Sequence, residues 1–446
     1  MEIIRDIYKQ LDIWKNRTTD RAPLLVRGAR QVGKSYAVRS WAKNNFGNNF
    51  IEINFEQNER FKAVFDEDLL PDSILMKLQL ITNQTIKKKD FLIFFDEIQI
   101  CPRAIKALRY FYEQMPELYV IGAGSLLDFI LSDISFPVGR VESIYMFPCT
   151  FYEFLEANDK KFLRDYLEAH DLSEPVEQTA HSLALEQLKL YYAIGGMPQV
   201  ISSFCTNKDL KEVSRLQQIL LQAYKDDFSK YSKDSVWNVI NQVFDNIPQL
   251  VVGDRIKFSS LSSDVRIDKI KQVLSLLEKA HLINFIRATN STKLPITSDM
   301  LKDRFKLLFL DVGLWQAILG YDWTQFDFNA DLTDIYDGKF AEQFIGQELI
   351  TKRSIFKKYS LHYWERAKRN SLAKVDYLIE FKNKVYPIEV KSAVSGRLKS
   401  LHLYLDENDI SEAIVFSSRN IETIEDKDKN QRIKLVPLYM VGNRNI

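Results

Sequence analysis

The sequence is short of the residues that make disulfide-stapled or metal-stapled folds. Its 446 residues hold three cysteines, Cys101, Cys149 and Cys205, which lie far apart. An odd, scattered set excludes a disulfide framework and a cysteine zinc site, and it suits a reducing compartment. The five histidines include no HxxxH pair. Charge of one sign is also missing: 61 basic against 60 acidic side chains leave a net charge of +1. Any nucleic-acid face must therefore be local. No apolar run approaches the length of a membrane span. The opening MEIIRDIYKQLDIW is amphipathic and carries acids, unlike a signal peptide. The expectation is a cytoplasmic protein without membrane contact. Low-complexity tracts and internal repeats are absent.

What is present is ample core material, 46% hydrophobic, on a length that suggests about three domains. A short apolar strand at Leu24 to Val26 runs into GARQVGKS and then a helical pattern with Ala37, Val38, Trp41 and Ala42 on one side. Gly28, Gly33, Lys34 and Ser35 match GxxxxGK[ST] in the strand–loop–helix setting that a phosphate-binding loop requires. The backbone of Gly28, Ala29, Arg30, Gln31, Val32 and Gly33, continuing to Tyr36, is expected to wrap the phosphates of ATP at a helix N-terminus. Lys34 is expected to reach the β- and γ-phosphates, and Ser35 to ligate Mg2+.

The apolar run Phe91 to Phe95 ends in Asp96-Glu97. It reads as a strand buried on both faces, with its acids where parallel sheets place ligands. Asp96 is expected to hold Mg2+, and Glu97 to orient or deprotonate the attacking water. A third strand, LYVIGAGS, ends at Ser125, either a γ-phosphate sensor or a cap of the next helix. Arg140 reads either as a phosphate-reaching arginine, in cis or from a neighbouring subunit, or as a surface residue.

GARQVGKS, FFDEIQ, GAGS and VGR followed by FPCTFYEF resemble the AAA+-like ATPases of the AAA_14 group. In that group this block precedes a DUF4143 domain. YYAIGGMPQVI, FKLLFLDVGL and VDYLIEF with YPIEVKS resemble that part. The resemblance implies ATP binding and hydrolysis, and an AAA+-type domain at residues 1–155.

Residues 156–235 read as a helical lid or linker, with Gly195-Gly196 before Met197-Pro198 as a helix stop. Residues 236–330 have the cadence of a winged helix: a helix through Ile267, Ile270, Leu274 and Leu277, then a strand at Leu282 to Ile286. Its mixed charge favours packing or dimerisation over DNA reading, so a homo-oligomer is an option.

Residues 331–446 read α-β-β-β-α-β, which resembles PD-(D/E)xK nucleases. Glu389 and Lys391 project from one face of a strand. Asp376 arrives from the paired strand and Glu342 from the preceding helix. The resemblance implies a catalytic set of Asp376, Glu389 and Lys391 with Glu342, the carboxylates Asp376 and Glu389 taking Mg2+ or Mn2+. The hairpin opens Lys374-Val375-Asp376, where that group usually has Glu-Val-Asp. Residues 351–400 hold 13 Lys or Arg and four acids, with His362, Tyr363 and Trp364 as stacking candidates. Such a stretch suits nucleic acid, DNA favoured. A partner-binding relic that cuts nothing, or a purely structural domain, is the alternative. The expected class is α/β: a P-loop parallel-sheet domain, a helical and winged-helix middle, and a restriction-endonuclease-like end.

Overall fold

The computed structural model describes residues 2–133, 137–228, 234–251, 258, 261, 265–325, 338–354, 356–366, 373–391 and 398–446. The first unit holds α1 (Ile7–Lys15), β1 (Leu24–Arg27), α2 (Lys34–Phe46), β2 (Phe50–Asn54), α3 (Arg60–Ala63), α4 (Pro71–Thr82), β3 (Leu92–Asp96), α5 (Pro102–Gln114), β4 (Tyr119–Ala123), α6 (Leu127–Asp133) and β5 (Glu142–Tyr145). Its five strands pair in parallel in the order β2-β3-β4-β1-β5. Alternation along β3 sends Leu92 and Phe94 into one hydrophobic core and Ile93 and Phe95 into another. The predicted strand buried on both faces is therefore found, and its acids emerge at the sheet's carboxyl edge.

Helices α7 (Phe151–Ala157), α8 (Lys161–Ala169), α9 (Gln178–Ile194), α10 (Pro198–Asn207), α11 (Leu210–Phe228), α12 (Asp234–Leu250) and α13 (Ile267–Lys279) follow. Then come β6 (Ile283–Thr289), β7 (Met300–Phe309), α14 (Val312–Leu319), α15 (Gly338–Arg353), β8 (His362–Glu365), β9 (Lys374–Phe381), β10 (Lys384–Val390), α16 (Lys399–Asn408), β11 (Glu412–Ser417), β12 (Glu422–Asp426) and β13 (Gln431–Pro437). The order α15-β8-β9-β10-α16-β11 is the α-β-β-β-α-β expected of the C-terminal part. Among the described residues no helix is long and apolar enough to cross a membrane.

The strand expected at Leu282 to Ile286 has a partner outside its own unit. β6 pairs with β7 on one edge and with β8 on the other, inside an eight-stranded sheet ordered β12-β13-β11-β10-β9-β8-β6-β7. The exposed edge of β8 needs a partner, and β6 supplies it. Two units that the sequence reading separates thus share one sheet. Of the turn-rich segment 329–339 expected between them, residues 329–337 lie outside the described residues and Gly338 opens α15.

Gly195-Gly196 is more than a helix stop. A Cβ on Gly196 would stand 2.3 Å from the Cys149 carbonyl oxygen, and one on Gly195 would stand 2.2 Å from Asp311 Oδ1. The side chain of Asp311 accepts from Gly196 N at 2.6 Å and caps α14 through Leu314 N at 3.0 Å. The loop pins α7, α9 and α14 together. Burial pushes Asp311 up to about 6. Burial likewise pushes Glu348, on α15, up to about 8, although it accepts from Phe151 N at 3.1 Å.

These raised carboxylates fix a sign. The folded state keeps protons on them that the unfolded chain gives up near pH 4. Their stabilisation is therefore full below pH 4 and is lost as pH rises toward 8, on the order of 1 kcal/mol per pH unit per proton. Urea midpoints are expected to fall from pH 6 to pH 8, with a smaller fall in Glu348→Gln. A midpoint that rises over that range contradicts the assignment.

Candidate active site and the acid cluster

The loop between β1 and α2 takes the shape its glycines allow. Gly28 has φ 141° and Gly33, which caps α2, has φ 91°. A Cβ on Gly28 would meet the Met146 carbonyl oxygen at 2.1 Å, so the close pass beside β5 demands glycine. Lys34 is buried, and its ammonium donates to the carbonyls of Gly28 at 3.1 Å and Ala29 at 2.6 Å. Burial lowers it to about 8, against the pull of Glu97 and Asp96. Ser35 Oγ donates to Asp96 Oδ1 at 2.6 Å, and Asn54 Nδ2 donates to Asp96 Oδ2 at 3.0 Å. Burial raises the Asp96 carboxyl. A hydroxyl and a carboxylate in contact at the loop fit Mg2+, which would neutralise phosphate charge when bound.

Glu97 has φ 50° and accepts from Gln99 Nε2 at 2.5 Å, so its carboxylate is aimed from the β3 end. Asn54 escaped sequence reading; its signal was an amide at the end of the strand beside β3. Ser125 is buried and receives the Arg30 Nε donor at 3.2 Å. Arg30 also pairs with Asp227, and its carbonyl accepts from Tyr224 OH at 2.8 Å. The end of α11 therefore closes over the loop through residues the sequence did not single out. Tyr36 is exposed on α2.

Arg140 is not brought to its own chain's loop. It precedes β5, at the opposite end of the sheet, and pairs with Glu113 at 3.1 Å. The reading in cis is corrected on that ground.

A second cluster lies under α15. Glu342, Asp376 and Glu389 are all buried. Asp376 Oδ2 accepts from Val390 N at 2.9 Å, which ties β9 to β10. Lys391 Nζ contacts Glu389 Oε1 at 2.5 Å, while Glu389 Oε2 has no hydrogen-bond partner among the described residues. The unexpected member is Lys306 of β7, 1% exposed. Its ammonium donates to Glu342 Oε1 at 2.7 Å, stands 4.0 Å from Asp376 Oδ1, and lies over the rings of Tyr363 and Tyr377. Burial pushes Glu342 and Glu389 to about 7.

The four residues named from sequence do come together. Yet among the described residues no three His, Cys, Asp or Glu side chains converge in a way that could hold a metal. A lysine stands between Glu342 and Asp376, so as arranged these residues do not fit Mg2+ or Mn2+.

The stacking candidates also need correction. His362, Tyr363 and Trp364 are buried, because β8 is an interior strand covered on both faces. Trp364 packs edge-on against Tyr404 of α16 at 5.0 Å. Of the basic stretch, Lys352, Arg353 and Arg366 are spent on Asn443 O, Glu380 O and Glu407. Lys368, Arg369 and Arg397 lie outside the described residues.

A phosphate loop between β1 and α2, a Ser–Asp pair beneath it and a glutamate at the end of β3 define a P-loop ATPase. Residues 20–155 match the AAA domain model AAA_14, residues 337–440 the domain of unknown function DUF4143, and residues 185–325 the domain of unknown function DUF8612. The chain thus combines a P-loop ATPase domain of the AAA_14 kind with a DUF4143 domain. It is 21% identical over 434 residues to the uncharacterized protein MJ1544 of Methanocaldococcus jannaschii, covering 93% of this chain and 87% of that one. Among solved structures it is similar to a Walker-type ATPase of Pyrococcus abyssi, at 14% identity and a TM-score of 0.44, over 71% of this chain and 96% of that chain. It is also similar to the Thermotoga maritima RuvB Holliday junction branch migration motor, at 12% identity and a TM-score of 0.29, over 68% and 92%.

Lys34→Ala and Glu97→Gln should each lower ATP turnover at least about a hundredfold, the usual scale for losing a charge-stabilising group or a positioned base. Phosphate release measured at saturating ATP checks this, and turnover equal to the parent would reject the assignment.

Proposed function

We propose that the chain is an ATP-driven switch whose nucleotide state is carried to a C-terminal domain with the layout of a nuclease, held closed by Lys306. One observation carries the reading: a continuous run of polar contacts from the phosphate loop to α15. Arg5 Nη1 donates to Val32 O at 2.9 Å, and Arg5 Nε pairs with Glu153 at 3.0 Å. Glu153 closes a capping box with Thr150 at the start of α7. The N-terminal amide of that helix, Phe151 N, donates to Glu348 of α15. Glu342 lies two turns earlier on the same helix. A shift of the loop on hydrolysis therefore has a mechanical route to the acid cluster.

In this reading the C-terminal domain engages a partner, nucleic acid with DNA favoured, and cuts nothing while Lys306 neutralises Glu342. Arg140, half-exposed at the far end of the sheet, suits a second copy's nucleotide, which supports a homo-oligomer. A second reading is favoured by the gathering of Glu342, Asp376, Glu389 and Lys391: metal-dependent cutting of nucleic acid once Lys306 has left.

Hydrogen exchange tests the switch. Amides of α15 are expected to change protection between ATP and ADP in the parent, and to lose that difference in Glu348→Gln. Equal protection in both nucleotides would remove the reading. Mn2+ titration followed by electron paramagnetic resonance separates the two versions of the cluster. Beyond any ion at the phosphate loop, the closed version expects Lys306→Met to bind one Mn2+ more than the parent. Parent protein that binds Mn2+ and cleaves labelled DNA or RNA, with both lost in Asp376→Ala, would replace it.

A further inference from the structure

The turn end of the β9–β10 hairpin carries a different cavity, about 640 Å3, between the C-terminal strands, the end of α8 and the chain's last residues. Along the strands its wall begins about 10 Å from the acid cluster, three residues on β10 from Glu389 to Tyr386, and reaches about 20 Å, six residues on β9 from Asp376 to Lys382. Four cations line it: Lys382 and Arg444, with Arg432 and Lys434 on one face of β13. Two carboxylates line it as well, and both are engaged. Glu412 accepts from Tyr386 OH at 2.5 Å, and Asp171 accepts from Ser173 N at 2.9 Å. Arg432 is 3.8 Å from Glu425.

Lys434 is the telling residue. It is half-buried and forms no ion pair or side-chain hydrogen bond among the described residues. Burial lowers its pKa, Arg432 and Lys382 add to that, and the carboxylates of Asp171 and Glu412 oppose it. The wall carries four cations to two carboxylates, so a bound anion would supply the counter-charge that a part-buried ammonium favours. The same cavity has an aromatic wall: Phe381 and Tyr386 meet edge-on, with ring centroids 5.7 Å apart. Cations beside aromatic faces make up the chemistry that binds a phosphate and its base.

We infer that this cavity binds a nucleotide unit, free or within a single strand, with Lys434 and Lys382 on phosphate and the Phe381–Tyr386 wall against the base. The site is separate from the phosphate loop and from the acid cluster. Because its walls come from α8 as well as the C-terminal sheet, occupation would also join those two parts.

Fluorescence anisotropy with a labelled single strand of about ten nucleotides tests it on the full chain, a length spanning one such groove. Lys382→Ala/Lys434→Ala is expected to weaken binding at least tenfold while ATP turnover stays at the parent rate. Losing two phosphate contacts should also flatten the log–log salt slope by about 1.4. Lys434→Arg should keep the affinity, and Lys434→Gln carries the test if the double variant does not fold. Displacement of the strand by excess AMP assigns the site to free nucleotide; no displacement assigns it to the strand. Parent protein that binds neither ligand, affinity unchanged in the double variant, or a loss that follows Lys357→Ala/Lys358→Ala instead would overturn the inference. Asp376→Ala should leave this binding intact, which keeps its outcome distinct from that of the acid cluster.

Discussion

A single buried guanidinium joins the parts of this molecule. Arg5 holds Val32 O of the phosphate loop with one nitrogen, Phe147 O with a second and Glu153 with a third. Burial opposes its charge, but the neighbouring Cys149 and Glu153 outweigh that, and the group stays firmly protonated. Removing one partner of such a pair costs about 3–5 kcal/mol, because the other is left charged and dry. Glu153 is committed a second time, to the amide of Thr150 at 2.8 Å, which fixes where α7 begins. The loop that grips phosphate and the helix that meets α15 are thus set by the same two side chains. Neither can shift without the other.

The C-terminal cluster shows the opposite solution to burying charge. Three carboxylates are gathered at one helix, and the part-exposed Lys391 reaches only Glu389 among them. Lys306 supplies the cation from β7, and it reaches the cluster because β6 and β7 extend the C-terminal sheet. Tyr363 and Tyr377 give its ammonium two ring faces. The carboxyls of Glu342 and Glu389 still sit near 7 rather than in the ordinary carboxylate range. The cluster is therefore neutralised partly by two lysines and partly by protons. It is a built feature and not a solvated sheet face, whatever its use.

How much of this was legible in the sequence depends on how local each signal is. The phosphate loop is a contiguous string whose glycines, lysine and serine need only a strand before and a helix after. Asp96-Glu97 closes a run too apolar for anything but an interior strand. The alternation of the C-terminal hairpin placed Asp376, Glu389 and Lys391 on one side correctly. Lys306 and Arg5 were invisible, since a lone basic residue in an apolar strand or before a helix says nothing of its partner. The winged-helix reading does not foresee the second partner of β6 for a related reason. Periodicity identifies β6 as a strand but not which edge it will cover. The rings of β8 read as available in sequence because the helix that covers one of its faces, α16, lies far along the chain. Gly195-Gly196 was read as a turn, and only the three elements packed on it explain why both must be glycine.

Placing a lysine among the acids has a mechanical consequence. Lys306 belongs to β7, and Glu342 to α15, which packs across that strand; Asp376 and Glu389 lie on β9 and β10. A rise of 1.5 Å per residue puts Glu342 about 9 Å from Glu348 on one helix. A helix is stiff over two turns, so a rotation imposed at Glu348 arrives at Glu342 nearly undiminished. The bond most exposed to it is the one between Glu342 and Lys306, the 2.7 Å contact across two elements. The contact of Lys391 with Glu389 lies within one strand and would ride along unchanged. Whatever moves α15 therefore acts first on the ion pair that keeps the cluster closed. The gathering of acids by itself would need no such arrangement.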